Sequence, residues 1–435
     1  MTCGRGLAAT LAAMLSAGNA AAHEQNRSDQ APQISPESAA YVDGLFFNDA
    51  RERLSNQGID PHVSYVTESS AAVDGARGTR YTGQFEVGAA FNLGKLGLIG
   101  GGKFNIVFNN REGADLSTDK IHNLFRVQEV FGANKDVRLV YLTYEQTFAE
   151  DRVSVLAGRT NLGEDFAYSK LFCNFQQNGI CGRPRSLVTN GAFSNYPLSV
   201  WGGRLKVKPF GGASYIQTGA YEVNPDSANN DGFNFGTSHD TGAVIPIEFD
   251  WVSGSESSGT LGNVKFGGYY DTSRVNDLVQ DASGRPYVLT GATPLSHRGR
   301  ATGYVMLDKA VARLGGNAKR PVTLLVGATV AQSDRSFFDH FWYAAAIFKG
   351  PFAAREQDTL GLLVLSGHVS AGVAETERLR ALVPQHTETV AEANYNVRVT
   401  SWLHLVPGVQ YIVDPNGEPR RANVTVLNLK TQFNF

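Results

Sequence analysis

Residues 423–435 (NVTVLNLKTQFNF) constrain the fold more than any other stretch of the chain. Taken two at a time, Leu427, Leu429, Phe433 and Phe435 share one side, interrupted only by Thr431. Asn428, Lys430, Gln432 and Asn434 share the other. Side chains alternate along a strand, so this one has an apolar and a polar face. A soluble edge strand shows the same alternation. Ending on an aromatic residue, however, is the habit of the closing strand of an outer-membrane barrel, where the ring sits at the interface.

The opposite end of the chain favours the second reading. Arg5 precedes an Ala- and Leu-rich run over 6–18, then Ala20, Ala21 and Ala22, then His23 and Glu24. A basic start, an apolar run and an A-x-A site describe a secretory signal peptide, expected over 1–22. Beyond it no run of about 18 apolar residues occurs, so no helix is expected to cross a bilayer. An exported chain with a membrane-type strand then has a closed β-barrel as its route through lipid, since every backbone group must be paired.

Composition fits many half-polar strands better than apolar helices. Mean hydropathy is −0.21, and there are 47 Gly, 25 Phe and 16 Tyr against 3 Met. The net charge of −2 gives no ground for nucleic-acid binding. Cys3 falls in the signal segment, leaving Cys173 and Cys181 as an even pair in an oxidising compartment, expected to close a loop as a disulfide. Neither these cysteines nor the nine His show metal-ligand spacing, so no metal or cofactor is expected.

Residues 23–60 are expected to form a periplasmic arm ending in one short helix, with Leu45, Phe46, Ala50 and Leu54 at helical spacing and Gly58 as its stop. From residue 61 to 435 the period is two. Tyr81, Phe85, Val87, Ala89, Phe91 and Leu93 alternate with Arg80, Thr82, Gln84, Glu86 and Asn92. The same pattern places Phe104, Ile106 and Phe108, then Val140, Leu142, Tyr144 and Phe148, then Ile247, Phe249 and Trp251 on apolar faces. Short connections (94–97, 149–151, 315–319) alternate with long polar ones (162–195, 224–241, 272–300), as short periplasmic turns and long external loops do. At about 23 residues per strand and connection, the chain suits an all-β, transmembrane antiparallel barrel of about 16 strands.

Two motif-like strings carry no chemistry. Residues 97–103 (GLIGGGK) match phosphate-loop spacing, but Phe104 stands where Ser or Thr would hold magnesium, and a strand follows instead of a helix. His368 and Ser370 resemble the His-x-Ser string of an outer-membrane phospholipase, with no third catalytic partner evident. No enzyme is expected. Chemistry then falls to the lumen wall, where arginines donate, carboxylates accept and aromatic faces stack on sugar rings. Parity puts Arg80, Glu86, Glu145, Arg204 and Glu248 on polar faces and leaves Arg159 open, since it shares phase with Val153 and Val155. The segment 162–195, with Glu164, Asp165 and the two cysteines, is the candidate to fold inward and narrow the pore, with an external cap on the barrel as the alternative.

From about residue 54 to 435 the chain resembles the OprB-type carbohydrate-selective porins. The resemblance rests on LSNQGIDPHVSY (54–65), RYTG (80–83), LVYLTYEQ (139–146), AGRTNLGEDF (157–166), FCNFQQNGICGRP (172–184), Tyr196-Pro197 with 202–205, GPFAAREQDTLG (350–361) and, most specific, NYNVRVTSWLHLVPGVQYIVDP within 392–415. In 350–361 this chain has Ala353, Ala354, Arg355 and Glu356 where the family tends to have Pro and Gly around its Arg. The resemblance implies a 16-stranded barrel in the cell outer membrane, monomeric or a homotrimer, in contact with outer-membrane lipid. It also implies facilitated diffusion of glucose or a similar monosaccharide past an arginine-bearing constriction. That role carries over to Arg80 and Arg159, with Glu145 and Asp165 as partners and Arg204 as a lumen residue. The alternative is a general diffusion porin without sugar selectivity.

Overall fold

The computed structural model describes Phe46 and residues 48–435, apart from 133–135, 211 and 229–230. The expected signal peptide and the arm that follows it, residues 23–45, lie outside the described residues. The rest begins with helix α1 (Asn48–Gln57) and continues as β1 (Ile59–Asp74), β2 (Gly78–Asn92), β3 (Gly102–Gly113), β4 (Arg138–Phe148), β5 (Val153–Thr160), β6 (Val200–Val207), β7 (Tyr215–Val223) and β8 (Gly242–Ser253). The second half is β9 (Gly262–Asp281), β10 (Pro294–Arg313), β11 (Pro321–Ala331), β12 (Phe338–Lys349), β13 (Thr359–Val369), β14 (Thr387–Arg398), β15 (Leu403–Val413) and β16 (Val424–Asn434).

Among the described residues these sixteen strands form one closed antiparallel barrel, each paired with its sequence neighbours and β16 paired back to β1. Closure runs from Ser64↔Asn434 to Asp74↔Thr425, with a register shift between Ala72 and Asp74. It removes the free edges that lipid could not satisfy. On the closing strand Leu427 and Leu429 are exposed on the outside, while Asn428, Lys430, Gln432 and Asn434 are buried on the inside. Lys430 lies 3.8 Å from the Glu68 carboxylate of β1 across the seam. Tyr81, Phe85 and Val87 of β2 and Ile247 and Trp251 of β8 are likewise outward and exposed.

Most connections at one end are short: 93–101, 149–152, 208–214 and 399–402 are examples. The other end carries 114–137, 161–199, 224–241 and 370–386. By the convention of such barrels the first end is periplasmic and the second external. Helix α1 lies at the periplasmic rim, where Lys95 Nζ donates to the Ser55 carbonyl (3.2 Å) and Arg51 donates to the Phe435 carbonyl (3.1 Å). Gly58 ends it at φ +97°, and a Cβ there would come within 2.8 Å of Lys95. Only glycine meets both demands.

Two expectations need correction. Residues 272–300 are not one long loop, because β9 runs to Asp281 and β10 resumes at Pro294. Strands of 20 residues are roughly twice what a tilted strand needs to cross lipid, so their polar ends stand clear of the membrane. Val140 does not face outward. The register shifts between Val107 and Phe108 on the neighbouring strand, and Val140 is buried with Val107 and Tyr141.

Ile247, exposed halfway along β8, gives a direct test of which face meets lipid. Ile247→Arg is expected to lower the stability of protein folded into bilayers by about 2–4 kcal/mol, and Ile247→Val by less than about 1.5 kcal/mol. Urea titration in lipid vesicles measures both.

Candidate functional site in the lumen

A 16-stranded barrel is wide enough for an aqueous channel, and two external connections narrow this one from within. The first is 161–199. Asn161 caps the short helix α2 (Leu162–Asp165), accepting the Glu164 amide at 2.9 Å. Ser194 ties the two ends of the segment together, its hydroxyl accepting the Leu162 amide and its carbonyl the Gly163 amide, each at 2.9 Å. Cys173 and Cys181 are bonded to each other within it. Phe166, Phe172 and Phe175 are fully buried. Phe166 meets inward Tyr221 edge-on, with ring centroids 6.1 Å apart, and Phe172 meets Tyr343 in the same way at 5.4 Å.

Backbone amides inside a lumen need acceptors, and wall carboxylates supply them. Glu248 on β8 accepts the Ala167 amide at 2.9 Å. Its oxygens also take hydrogen bonds from Tyr215 (2.8 Å), Gln217 (2.9 Å) and Tyr304 (2.7 Å). Glu392 on β14 accepts the amides of Gln176 (2.9 Å) and Gln177 (2.8 Å). Asn190, just past helix α3 (Arg185–Thr189), pairs through its amide group with both the N–H (2.9 Å) and C=O (2.8 Å) of Phe338 on β12. On the opposite side Tyr196 donates to Glu86 of β2 at 2.5 Å. The segment therefore spans the barrel interior.

The second inward segment, 114–137, was not singled out from sequence. Glu388 on β14 accepts the amides of Leu124 (2.7 Å) and Phe125 (2.8 Å), and Glu68 on β1 accepts that of Val130 (3.2 Å). Phe125 stacks on Phe338 at 5.3 Å. Its only sequence signal was length between two strands.

Three of the five candidate residues come together. Arg204 on β6 donates to Asp165 of α2, to Glu145 of β4 (2.8 Å) and to the Ser154 hydroxyl (2.7 Å), and Tyr221 donates to the other Asp165 oxygen at 3.0 Å. This cluster joins wall to loop. Arg80 lies instead at the external end of β2, paired with Asp119 at 2.6 Å and about a third exposed. It stands at the mouth. Arg159 is a correction: it keeps the outward phase of Val153 and Val155 and is covered from outside. Its guanidinium pairs with outward Glu222 (2.9 Å), donates to the Ser199 carbonyl (2.6 Å) and lies 5.6 Å from the Trp201 ring and 5.8 Å from that of Phe235. Apolar phase was the decisive signal there.

Arg126 and Arg185 line the space between the two inward segments, Arg111 of β3 reaches Glu129 of one and the Tyr196 ring of the other, and Arg183 lies within the second. Arg126 lies 3.5 Å from Asp115. Arg183 is buried, donates to the Phe166 carbonyl (3.2 Å) and covers the Tyr168 ring at 4.5 Å. The Arg185 guanidinium has no ion pair or hydrogen bond among the described residues. Burial and the nearby Arg126 charge push it down to about 10, against partial support from Glu129 and Asp115, so it stays charged at neutral pH. A cavity of about 260 Å³ opens between the segments, lined by Thr118, Asn123, Arg126, Arg185, Thr189 and Phe337 among others. Glu164, on α2 close by, is pushed up to about 7 by burial, offset in part by Arg183 and by the Tyr141 hydroxyl that donates to it at 2.6 Å. The phospholipase-like pair does not assemble, since Ser370 is fully buried and its hydroxyl makes no hydrogen bond.

A closed 16-stranded barrel with a lumen narrowed by inward loops defines an outer-membrane channel protein of the porin class. Residues 76–435 match the family described as carbohydrate-selective porin, OprB family, and the chain belongs to it. Porin B of Pseudomonas aeruginosa is 31% identical over 408 residues, covering 88% of this chain and 89% of that protein. The putative porin QuiX of Acinetobacter baylyi is 26% identical over 414 residues, covering 88% and 91%. The high-pH structure of Pseudomonas putida OprB superposes with a TM-score of 0.85 at 30% identity, over 89% of this chain and 96% of that one. These relatives are channels and not enzymes, and they place the chain in the outer membrane.

Two outcomes follow from the anchoring. Glu392→Ala leaves the Gln176 and Gln177 amides without acceptors, at about 1–3 kcal/mol each; single-channel recording is expected to show larger conductance from a folded barrel. Because the folded pKa of Glu164 lies above its ordinary value of 4.5, the stability it contributes is complete below about pH 4 and lost as pH rises through about 7. Wild-type Tm is expected to fall more than that of Glu164→Gln between about pH 5 and about pH 8, as scanning calorimetry in detergent would record.

Proposed function

We propose that this carbohydrate-selective porin passes glucose or a similar monosaccharide by facilitated diffusion, and that the narrowing between segments 114–137 and 161–199 selects it. The observation that carries this reading is Arg185, a half-buried guanidinium with no ion pair or hydrogen bond among the described residues, on a cavity that also offers hydroxyl, amide and aromatic groups. A sugar leaving its water shell there exchanges those hydrogen bonds for arginine donors and for hydroxyl and amide partners, with Phe337 as a flat surface for the ring. Acidic and basic groups stand close together in this region, with Arg111 3.6 Å from Glu129 and Arg126 beside Asp115. Such a surface suits a neutral, hydroxyl-rich solute better than an ion of either sign. Flux requires weak binding, because a tight site would hold its solute. The solute moves down its gradient without energy coupling.

Arg185→Ala is expected to weaken the block of ion current by glucose several-fold while keeping or raising conductance in planar bilayers. Arg159→Ala, on the outside of the wall, is expected to keep wild-type block. Unchanged block in Arg185→Ala would remove the arginine from the selective step.

A further inference from the structure

On the outward face of the barrel, at the external end of β12 and β13, three side chains converge that the transport path does not use. His340 and His368 are register partners across the two strands. They share the outward phase of Trp342 and Leu362, both exposed. Their rings stack with centroids 4.5 Å apart and planes 12° from parallel. Simple alternation would turn Asp339 into the lumen, but the ladder shifts register between Phe338 and His340. An irregularity of this kind re-aims a side chain, and here it brings the Asp339 carboxylate to both rings. Its Oδ1 lies 2.7 Å from His340 Nδ1 and 2.8 Å from His368 Nδ1. All three donor atoms fall within 4.8 Å of one another, and each side chain is at least a fifth exposed.

Two stacked imidazoles repel if both are protonated, and neutral imidazole is the commonest protein ligand for a metal. Imidazole nitrogen with carboxylate oxygen is a donor set for late first-row divalent ions and not for magnesium or calcium, which take oxygen alone. The spacing also fits. At bonds of about 2.0–2.1 Å, donors at a right angle stand about 2.9 Å apart and donors at the tetrahedral angle about 3.3 Å. The observed 2.7 and 2.8 Å need only a few tenths of an ångström of opening to reach the first value, from side chains free to move. Right-angle geometry suits copper and nickel, and affinity rises toward copper along the divalent series.

We propose that Asp339, His340 and His368 form a binding site for a divalent late transition ion, Cu2+ before Ni2+ and Zn2+, on the outer wall at the external rim. A second grouping on the same rim, Asp277, His297 and Asp334, differs in a way that sharpens the assignment. There both Asp334 oxygens are held by Arg335, at 2.9 and 2.6 Å. One Asp277 oxygen accepts the amides of Val279 (2.8 Å) and Gln280 (2.7 Å). That grouping offers a single imidazole and its Asp334 carboxylate is held by Arg335, whereas the Asp339 oxygen at the first site faces two imidazoles.

The test uses metal-free protein purified in detergent and titrated with Cu2+ alone, followed by calorimetry and electron paramagnetic resonance. Wild type is expected to bind one more equivalent than the double variant His340→Ala/His368→Ala, with nitrogen splittings from two imidazoles that the variant lacks. Asp339→Asn is expected to keep the two-nitrogen signature with affinity lowered about tenfold, and His297→Ala to match wild type. Unaltered conductance and glucose block in the double variant would show that it is folded and that the site is separate from the lumen. The assignment is overturned if the double variant retains wild-type stoichiometry and spectrum, or if wild type takes up no more Cu2+ than the variant does.

Discussion

Carboxylates buried in the barrel wall that accept backbone amides from the loops are the interaction on which the rest depends. Glu248, Glu388 and Glu392 each receive amides from one of the two long external connections. A polypeptide lying inside a lumen has amides that no sheet ladder satisfies, and each one left unpaired costs about as much as a typical hydrogen bond contributes. Without these acceptors the two segments would gain little from entering. The barrel would then hold an open aqueous channel, as its strand number allows.

The packing around these anchors is aromatic, and that follows from the same demand. Phe125, Phe166, Phe172 and Phe175 are fully buried and cover inward wall residues such as Tyr221, Phe338 and Tyr343. Rings fill a wide interior with few residues and exclude water from the charged hydrogen bonds beside them. The Arg204, Glu145 and Asp165 cluster then fixes the start of segment 161–199 against β4 and β6. With both segments held, the arginines between them occupy defined positions and not a mobile cloud of charge.

Strand phase was legible because lipid and water impose opposite chemistry on alternate residues. Leu427 and Leu429 against Lys430 and Gln432, or Ile247 against Glu248, point as their alternation requires. Length, an acidic start and two cysteines made 162–195 a candidate to turn inward without excluding an external cap; its amides on Glu248 and Glu392 decide between the two. Arg159 shows where the reading stopped: its apolar phase put it outside, and a family motif pulled the other way. What covers it, its cross-strand partner Trp201 on β6 and Phe235 of the 224–241 connection, comes from positions far along the chain. Segment 114–137 was hidden for a related reason. Its anchors Glu388 and Glu68 lie on distant strands, and nothing local distinguishes an inward loop from an external one. Register shifts, which moved Val140 inward and Asp339 outward, leave no mark in residue alternation because they break it.

We propose that the inward segments reduce a wide barrel to a passage that admits a single sugar ring. Liposome swelling with sugars of increasing length tests it most directly. A monosaccharide should enter rapidly, and a trisaccharide at a rate below about a tenth of that, with conductance far under that of an unobstructed 16-stranded pore. Comparable rates for the two sugars would mean that the loops do not close the lumen, and the account would fail.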